Sequence, residues 1–184
     1  MSLANDTQRE TALLGGGCFW CLEAVFSRVD GVVHVTPGYA GGSVAAPTYT
    51  QVCTNTTGHA EVVQIAFDPA RLSYRALLGV FFATHDPTTL DRQGEDVGAQ
   101  YRSVIFAVDA AQQATAQEVI AELTAARAFS SPIVTRIEAA TRFWPAEVEH
   151  HDYYAHHPEQ PYCRVVVAGK VEKLRAYLGI SAFH

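Results

Sequence analysis

The order of apolar and polar residues along this chain changes repeatedly between a period of two and a helical period. This pattern predicts strands over residues 11–14, 31–36, 61–67, 102–108 and 132–137. It predicts helices over residues 19–29, 47–53, 74–84, 110–127, 146–156 and 170–177. Several strands follow one another through loops and not only through helices. This order favours an α+β sheet with packed helices over a doubly wound parallel sheet.

The turn between the first strand and the first helix carries three glycines, Gly15 to Gly17, and then Cys18. Glycines allow a sharp turn and a close approach of other groups. The first turn of a helix presents unpaired N–H groups and the positive end of the helix dipole, and both stabilise an anion. We therefore expect Cys18 to have a lowered pKa and to act as a nucleophile. The alternative is a small buried core residue.

Glu61 begins a predicted strand and shares one side of it with Val63, Ile65 and Phe67, because side chains alternate along a strand. An acid beside three apolar residues is partly desolvated, and desolvation raises the pKa of a carboxyl group. Glu61 is therefore a candidate proton donor near neutral pH. The alternative, which periodicity does not exclude, is that Glu61 points into water.

Five aromatic residues are further candidates for the site, namely Phe19, Trp20, Tyr39, Tyr49 and Tyr101. Ordinary core packing explains such residues equally well. Tyr49 and Tyr101, however, lie at the edges of predicted elements beside glycine and polar residues, where a phenol could donate to a substrate oxygen. Asp96, between two glycines, is by default a turn residue.

Length and composition indicate one domain over residues 1–184, with residues 1–9 as a disordered N-terminal tail. The net charge of −6 and the lack of a run of Lys or Arg argue against nucleic acid as a partner. No apolar run approaches the length of a membrane span or a signal core. We expect a cytoplasmic monomer. Four cysteines in such a chain are more typical of catalysis or metal binding than of a disulfide framework.

Two other functions remain open at this point. Cys18 and Cys21 form a Cys-x-x-Cys motif at a helix start, which also suits a thioredoxin-like disulfide oxidoreductase. A zinc-binding interaction module could draw on Cys18, Cys21, Cys53, Cys163 and the eight histidines. No second Cys-x-x-Cys supports the zinc site. We interpret the histidines at positions 150, 151, 156 and 157 as the solvated face of a helix.

Several longer motifs extend over nearly the whole chain. They are Gly17-Cys18-Phe19-Trp20-Cys21, Pro47-Thr48-Tyr49, Thr57-Gly58-His59-Ala60-Glu61, His85-Asp86-Pro87, residues 91–103, residues 129–135 and the stretch around His150 and Tyr154. In this order they resemble the peptide methionine sulfoxide reductase A family. Glu95, Ala99, Glu149 and His151 depart from residues that are common in the family, and they leave the catalytic set intact.

The resemblance implies reduction of the S epimer of methionine sulfoxide, free or in proteins, as a repair of oxidative damage. It implies a two-layer sandwich with a ferredoxin-like core sheet, packed helices and long C-terminal loops. It also assigns the site residues: Cys18 attacks the sulfur, Glu61 protonates the oxygen, Tyr49, Asp96 and Tyr101 line the oxygen side, and Phe19 and Trp20 hold the methyl group. No metal or organic cofactor is implied. Thioredoxin, or dithiothreitol in its place, recycles the enzyme.

The attack leaves a sulfenic acid on Cys18, which a second thiol converts to a disulfide. We assign this resolving role to Cys163, since it lies beyond two prolines in a segment predicted to be a mobile loop. The family also tends to keep its resolving thiol in the C-terminal region. Cys21, one helical turn from Cys18, is the second candidate. Cys53 belongs to a short helix, and we expect it to be buried.

Overall fold

The computed structural model describes residues 8–179, so most of the predicted N-terminal tail lies outside the described residues. Its strands are β1 (Glu10–Gly15), β2 (Val32–Ala40), β3 (Ala60–Phe67), β4 (Arg92–Gln93), β5 (Asp96–Val97), β6 (Val104–Ala107), β7 (Arg136–Ala139) and β8 (Trp144–Pro145). Its helices are α1 (Phe19–Phe26), α2 (Tyr49–Cys53), α3 (Tyr74–Thr84), α4 (Ala110–Ala125), α5 (Tyr153–His156) and α6 (Ala168–Tyr177). None of these helices is long and apolar enough to cross a membrane.

Within the described residues, six strands form one sheet in the order β7-β6-β1-β3-β2-β8. Neighbouring strands are antiparallel, except for the parallel pair of β6 and β7. The short strands β4 and β5 form a separate hairpin. This topology places β1 and β3 at the centre of the sheet, so the strand that leads to Cys18 and the strand that carries Glu61 are neighbours.

The main helices pack on one face of the sheet. Leu14 of β1 and Ile65 of β3 point to this face and join apolar residues of α1, α3, α4 and α6 in one core. Leu13 and Val62 alternate to the opposite face, where Phe143 packs against a smaller cluster. The chain is therefore an α+β structure whose sheet is covered by helices on one side.

Local sequence patterns predict many of these elements correctly. Ser73 begins α3 as an N-cap that accepts a hydrogen bond from the Ala76 N–H. Thr48 caps α2 in a capping box with Gln51. The strand predicted to end before Pro37 instead continues to Ala40. The Pro37 carbonyl there accepts a hydrogen bond from the Ala146 N–H.

Two predicted elements in the second half of the chain differ from the structure. Strand β7 begins at Arg136, four residues later than the predicted start at residue 132. The single helix predicted over residues 146–156 is broken into a 3₁₀ turn, Val148–His150, and the short helix α5. The break lies at Asp152, whose φ of 52° places it in the left-handed region and ends any regular helix.

The segment around Cys163 is helical and not a mobile loop. The chain is helical from residue 161 and passes through a π turn, Cys163–Val167, directly into α6. Cys163, Val167, Val171 and Leu174 form the buried stripe of this helix, and Cys163 is 0% exposed. The premise that Cys163 can swing freely towards Cys18 is therefore wrong.

Candidate active site

Cys18 occupies the N-cap position of α1 because the glycine turn delivers it there. Gly17 has a φ of +100°, a conformation that side chains rarely adopt. A Cβ on Gly17 would also lie 2.7 Å from Cγ of Gln93. Glycine at this position therefore allows both the turn and the close packing of Gln93 against it.

Cys18 is 7% exposed and lines a cavity of about 330 Å³. Burial raises the pKa of the Cys18 thiol well above its usual value, and the neighbouring Cys21 and Glu61 add to this increase. The nearby Trp20 N–H lowers the pKa, but by less than burial raises it. The expectation of a lowered pKa is thus wrong for the resting site, because desolvation outweighs the helix N-terminus.

Glu61 is 1% exposed, which excludes the interpretation that it points into water. Its Oε2 accepts a hydrogen bond of 3.1 Å from the Phe19 N–H, so the carboxyl group lies beside the start of α1. Burial raises the pKa of Glu61 to about 8, with smaller contributions from the charges of Asp96 and Cys21. A carboxyl group with this pKa is mostly protonated at neutral pH and can donate a proton.

Two phenols adjoin the Glu61 carboxyl group. Burial raises the pKa of both Tyr49 and Tyr101, and the charge of Glu61 is the next cause in each case. Cys18 adds to the increase in the pKa of Tyr101. Both phenols therefore remain protonated hydrogen-bond donors within electrostatic reach of Glu61, and Tyr101 is also within reach of Cys18.

Asp96 lies at the cavity side of Cys18, in the β4–β5 hairpin. Its Oδ2 accepts a hydrogen bond of 2.6 Å from the Tyr162 hydroxyl group. The Sγ of Cys21 lies 3.8 Å from the same hydroxyl oxygen. Asp96 is thus more than a turn residue, because it fixes the C-terminal helix against the thiols.

An aromatic wall borders the other side of the site. The rings of Phe19 and Tyr49 are stacked with centroids 6.2 Å apart. The Trp20 ring lies flat on Tyr153 at 3.8 Å, and its Nε1 donates a hydrogen bond of 3.2 Å to Nδ1 of His150. This wall provides an apolar surface for a methyl group and a polarisable sulfur.

Sequence reasoning missed two residues that shape the site. His150 is 7% exposed and packs against the rings of Phe19, Trp20 and Tyr49, so its interpretation as a solvated residue is wrong. Only the longer motif around His150 signals this position in the sequence. Glu147 accepts hydrogen bonds from the Tyr39 hydroxyl group and the Tyr49 N–H, both at 2.9 Å. No pattern around Glu147 in the sequence signals these contacts.

The structure gives little support to a zinc site. In residues 8–179, the one group of three ligand-type side chains close enough to share a metal ion is Glu147, Glu149 and His150, within 4.8 Å. None of these is a cysteine, and Glu147 already accepts the two hydrogen bonds from Tyr39 and Tyr49.

The remaining thiols differ in their surroundings. Cys21 is buried within hydrogen-bonding reach of Cys18, and this hydrogen bond lowers the pKa of Cys21. Cys163 is fully buried. Cys53 is exposed, so the expectation that it is buried is wrong.

Comparison with known proteins adds independent evidence. The family description "Peptide methionine sulfoxide reductase" matches residues 10–179. The chain is 55% identical to the peptide methionine sulfoxide reductase MsrA of Chromobacterium violaceum, over 90% of this chain and 94% of that protein. It is also 55% identical to the MsrA of Thermus thermophilus, over 90% of this chain and 93% of that protein.

Solved structures agree with these sequence relatives. Reduced Mxr1 from Saccharomyces cerevisiae matches with a TM-score of 0.80 and 32% identity, covering 86% of this chain and 91% of Mxr1. Methionine sulfoxide reductase A of Corynebacterium diphtheriae matches with a TM-score of 0.75 and 34% identity, covering 85% of this chain and 79% of that one. The match of the family description, the sequence relatives and the solved structures all cover most of this chain, including the glycine turn and its thiol. The chain therefore belongs to the peptide methionine sulfoxide reductase A family of enzymes.

Proposed function

We propose that the protein reduces the S epimer of methionine sulfoxide, free or within proteins, to methionine. The observation that supports this most strongly is the juxtaposition of a cavity-lining thiol, Cys18, with a fully buried carboxyl group, Glu61, whose pKa is about 8. A sulfoxide oxygen leaves poorly unless it is protonated. A thiol beside a neutral acid therefore suits sulfoxide reduction better than disulfide exchange, which needs no such acid.

In the proposed mechanism, the substrate methyl group lies against Phe19 and Trp20. Its oxygen faces Glu61, Tyr49 and Tyr101, which donate a proton and two hydrogen bonds. Asp96 completes the oxygen side. This placement follows the family motif. It puts the substrate oxygen beside the polar side chains of the site and the methyl group beside the aromatic rings.

Burial is the main cause of the raised pKa of Cys18 and the charge of Glu61 adds to it, so an ionised Glu61 opposes ionisation of Cys18. Protonation of Glu61 removes this repulsion and makes ionisation of Cys18 easier. The Cys18 thiolate attacks the sulfur of the protonated sulfoxide. The S–O bond of the substrate then breaks and its oxygen bonds to the Cys18 sulfur as a hydroxyl group, while methionine leaves as a neutral thioether with the electron pair of the S–S bond. Cys18 is left as a sulfenic acid.

We propose that the resolving thiols are Cys21 and Cys163, with Cys21 first. The sequence alone favours Cys163, but this thiol is fully buried on the core-facing side of the C-terminal helix. Cys21 is already within hydrogen-bonding reach of Cys18. Residues three apart at a helix start lie close enough for a disulfide after a local adjustment. Cys163 enters a disulfide only after this step, and only if the C-terminal helix opens.

Peptide mapping after one equivalent of substrate, without reductant, tests this order. We expect a peptide that links Cys18 to Cys21, because no large movement is needed to form it. A link between Cys18 and Cys163 as the first product would restore the assignment made from the sequence. Mapping of the Cys21→Ser variant provides the control, since the only thiol then left near Cys18 in this proposal is Cys163.

The remaining features of the proposal concern recycling and organisation. We propose that thioredoxin reduces the disulfide and that dithiothreitol replaces it in vitro, without a bound metal or organic cofactor. Mxr1, the yeast relative described above, has also been solved in complex with Trx2. We further propose a cytoplasmic, monomeric protein with one catalytic domain over residues 1–184. Its core is ferredoxin-like, as the order β1-α1-β2-β3-α3-β6 and the strand arrangement β6-β1-β3-β2 support.

A direct assay separates this function from the two alternatives. With dithiothreitol as reductant, the protein should form methionine from the S epimer of methionine sulfoxide and not from the R epimer. Treatment with a metal chelator should leave the rate unchanged. Reduction of insulin disulfides without any turnover of sulfoxide would support the disulfide oxidoreductase instead, and loss of the fold with chelator would support the zinc module.

A further inference from the structure

Residues of α1, of the β4–β5 hairpin and of the C-terminal helix meet in the cavity beside Cys18. The C-terminal helix contributes Tyr162, Val166 and Lys170 to its wall. These three residues share a face at four-residue spacing, and the π turn Cys163–Val167 lies between the first and the last of them. π turns inside helices are frequent at functional sites. The turn here places a phenol and an ammonium group together opposite Cys21.

The ammonium group of Lys170 is held in place from the other side of the cavity. Its Nζ donates a hydrogen bond of 2.9 Å to Oε1 of Gln93. The Gln93 amide is itself fixed, because it accepts a hydrogen bond of 3.0 Å from the Asp86 N–H and donates one of 2.9 Å to the Asp86 carbonyl. Gln93 also packs against Gly17, the residue before Cys18. Lys170 is thus half-buried and anchored to the turn that carries the reactive thiol.

Titratable groups face Cys21 from each element that packs against it. They are Cys18 of α1, Glu61 of β3, Asp96 of β5, and Tyr162, Cys163 and Lys170 of the C-terminal helix. The hydrogen bond from Cys18 and the charge of Lys170 lower the pKa of Cys21, while burial and Asp96 oppose them. Burial lowers the pKa of Lys170 itself to about 8, so it remains mostly charged at neutral pH.

We propose that Lys170 is a positioning residue that holds Cys21 as a thiolate facing Cys18 once Cys18 carries the sulfenic acid, and thereby determines how fast the sulfenic acid is resolved. This inference rests on the sulfoxide reduction proposed above. In the step concerned, the Cys21 thiolate attacks the Cys18 sulfur and an S–S bond forms as the S–O bond breaks. The oxygen leaves with the bonding electrons as hydroxide, and solvent protonates it to water. The Cys18 sulfur is reduced and the Cys21 sulfur is oxidised, so no further oxidant is needed.

Single-turnover kinetics with Lys170→Met test the proposal. The S epimer is mixed with reduced enzyme, and methionine, dimedone-reactive sulfenic acid and free thiols are followed in quenched samples. We expect Lys170→Met to release one equivalent of methionine and then to form the disulfide about ten-fold more slowly than the unmodified protein at pH 7. The difference should shrink towards pH 9, because Lys170 has then lost most of its own charge and Cys21 ionises without its help.

Two matched variants complete the experiment. Lys170→Arg keeps a cation at this position and should retain disulfide formation within about three-fold of the unmodified rate, at pH 7 and at pH 9. Lys173→Met removes the same charge from an exposed position of the same helix and should leave disulfide formation unchanged. If Lys170→Met slows disulfide formation equally at every pH, Lys170 only holds Gln93 in place, and the proposal is overturned. If Lys170→Met does not slow disulfide formation at all, the proposal is overturned as well. If the unmodified protein releases no methionine, the proposed function itself fails instead.

Discussion

Replacement of Cys18 by serine should abolish methionine formation. We expect turnover of the S epimer to fall by at least about a thousand-fold, because a serine hydroxyl group is a far weaker nucleophile and cannot carry the sulfenic oxygen. The variant should keep its fold, since Cys18 is an N-cap residue and Ser is well suited to that position. Steady-state assays with dithiothreitol measure the loss, and circular dichroism verifies the fold.

Cys53→Ser provides the matched control for this prediction. Cys53 is an exposed thiol in α2 that does not line the cavity beside Cys18, and serine can keep the hydrogen bond that this side chain makes with Tyr49. Its activity should equal that of the unmodified protein. Turnover by a well-folded Cys18→Ser variant within about ten-fold of the unmodified rate would remove Cys18 from the nucleophilic role.

Replacement of Glu61 by glutamine should cost about a hundred-fold or more in rate at neutral pH, because the variant cannot donate the proton. Glu61→Asp keeps an acid and should lose less. The raised pKa of about 8 also predicts that the activity of the unmodified protein falls as pH rises through that value, since Glu61 then loses its proton. The deficit of Glu61→Gln should be smallest at low pH, where solvent supplies protons. A pH–rate profile of Glu61→Gln that overlays the unmodified profile would contradict the assignment.

The same substitution should stabilise the folded protein above acidic pH. The pKa of Glu61 rises from its ordinary value of 4.5 to about 8 on folding, because the carboxyl group is buried. The ionised carboxyl group is therefore unfavourable in the folded state, with a cost that begins near pH 4.5 and is complete above pH 8. Glutamine cannot ionise and can still accept the hydrogen bond from the Phe19 N–H. We expect Glu61→Gln to increase the free energy of unfolding by roughly 3 kcal/mol at pH 7 and by nothing at about pH 4.

Urea unfolding of both proteins at the two pH values measures this gain. Glu149→Gln, at an exposed position, is the control and should leave the unfolding free energy unchanged at both. Equal stabilities of Glu61→Gln and the unmodified protein at pH 7 would mean that Glu61 is not held in a desolvated site.

Local patterns along the sequence suffice for the part of the fold that places the reactive thiol. The apolar run before Gly15, the glycines and the helical spacing after Cys18 predict β1, the turn and α1. The alternation from Glu61 to Phe67 predicts which side of β3 the Glu61 side chain occupies. The roles of both residues, however, come from the family resemblance, because periodicity leaves the exposure of Glu61 open.

Tertiary packing accounts for what the sequence could not show. The pKa of Cys18 depends on how far α1 and its neighbours exclude water, and the helix N-terminus alone suggests the wrong direction. The prolines at 158 and 161 suggest a loop, although Pro is tolerated in the first turn of a helix. The spacing of Cys163, Val167, Val171 and Leu174 by four, four and three residues was the available signal that Cys163 faces the core.

Cys18 is proposed to take the oxygen of the substrate, and every later step depends on this transfer. It is tested most directly in the Cys21→Ser, Cys163→Ser double variant, which lacks both resolving thiols. After one equivalent of the S epimer, we expect one equivalent of methionine and one dimedone adduct, which peptide mass spectrometry places on Cys18. Release of methionine with no adduct on Cys18, or with the adduct on Cys53, would contradict this mechanism.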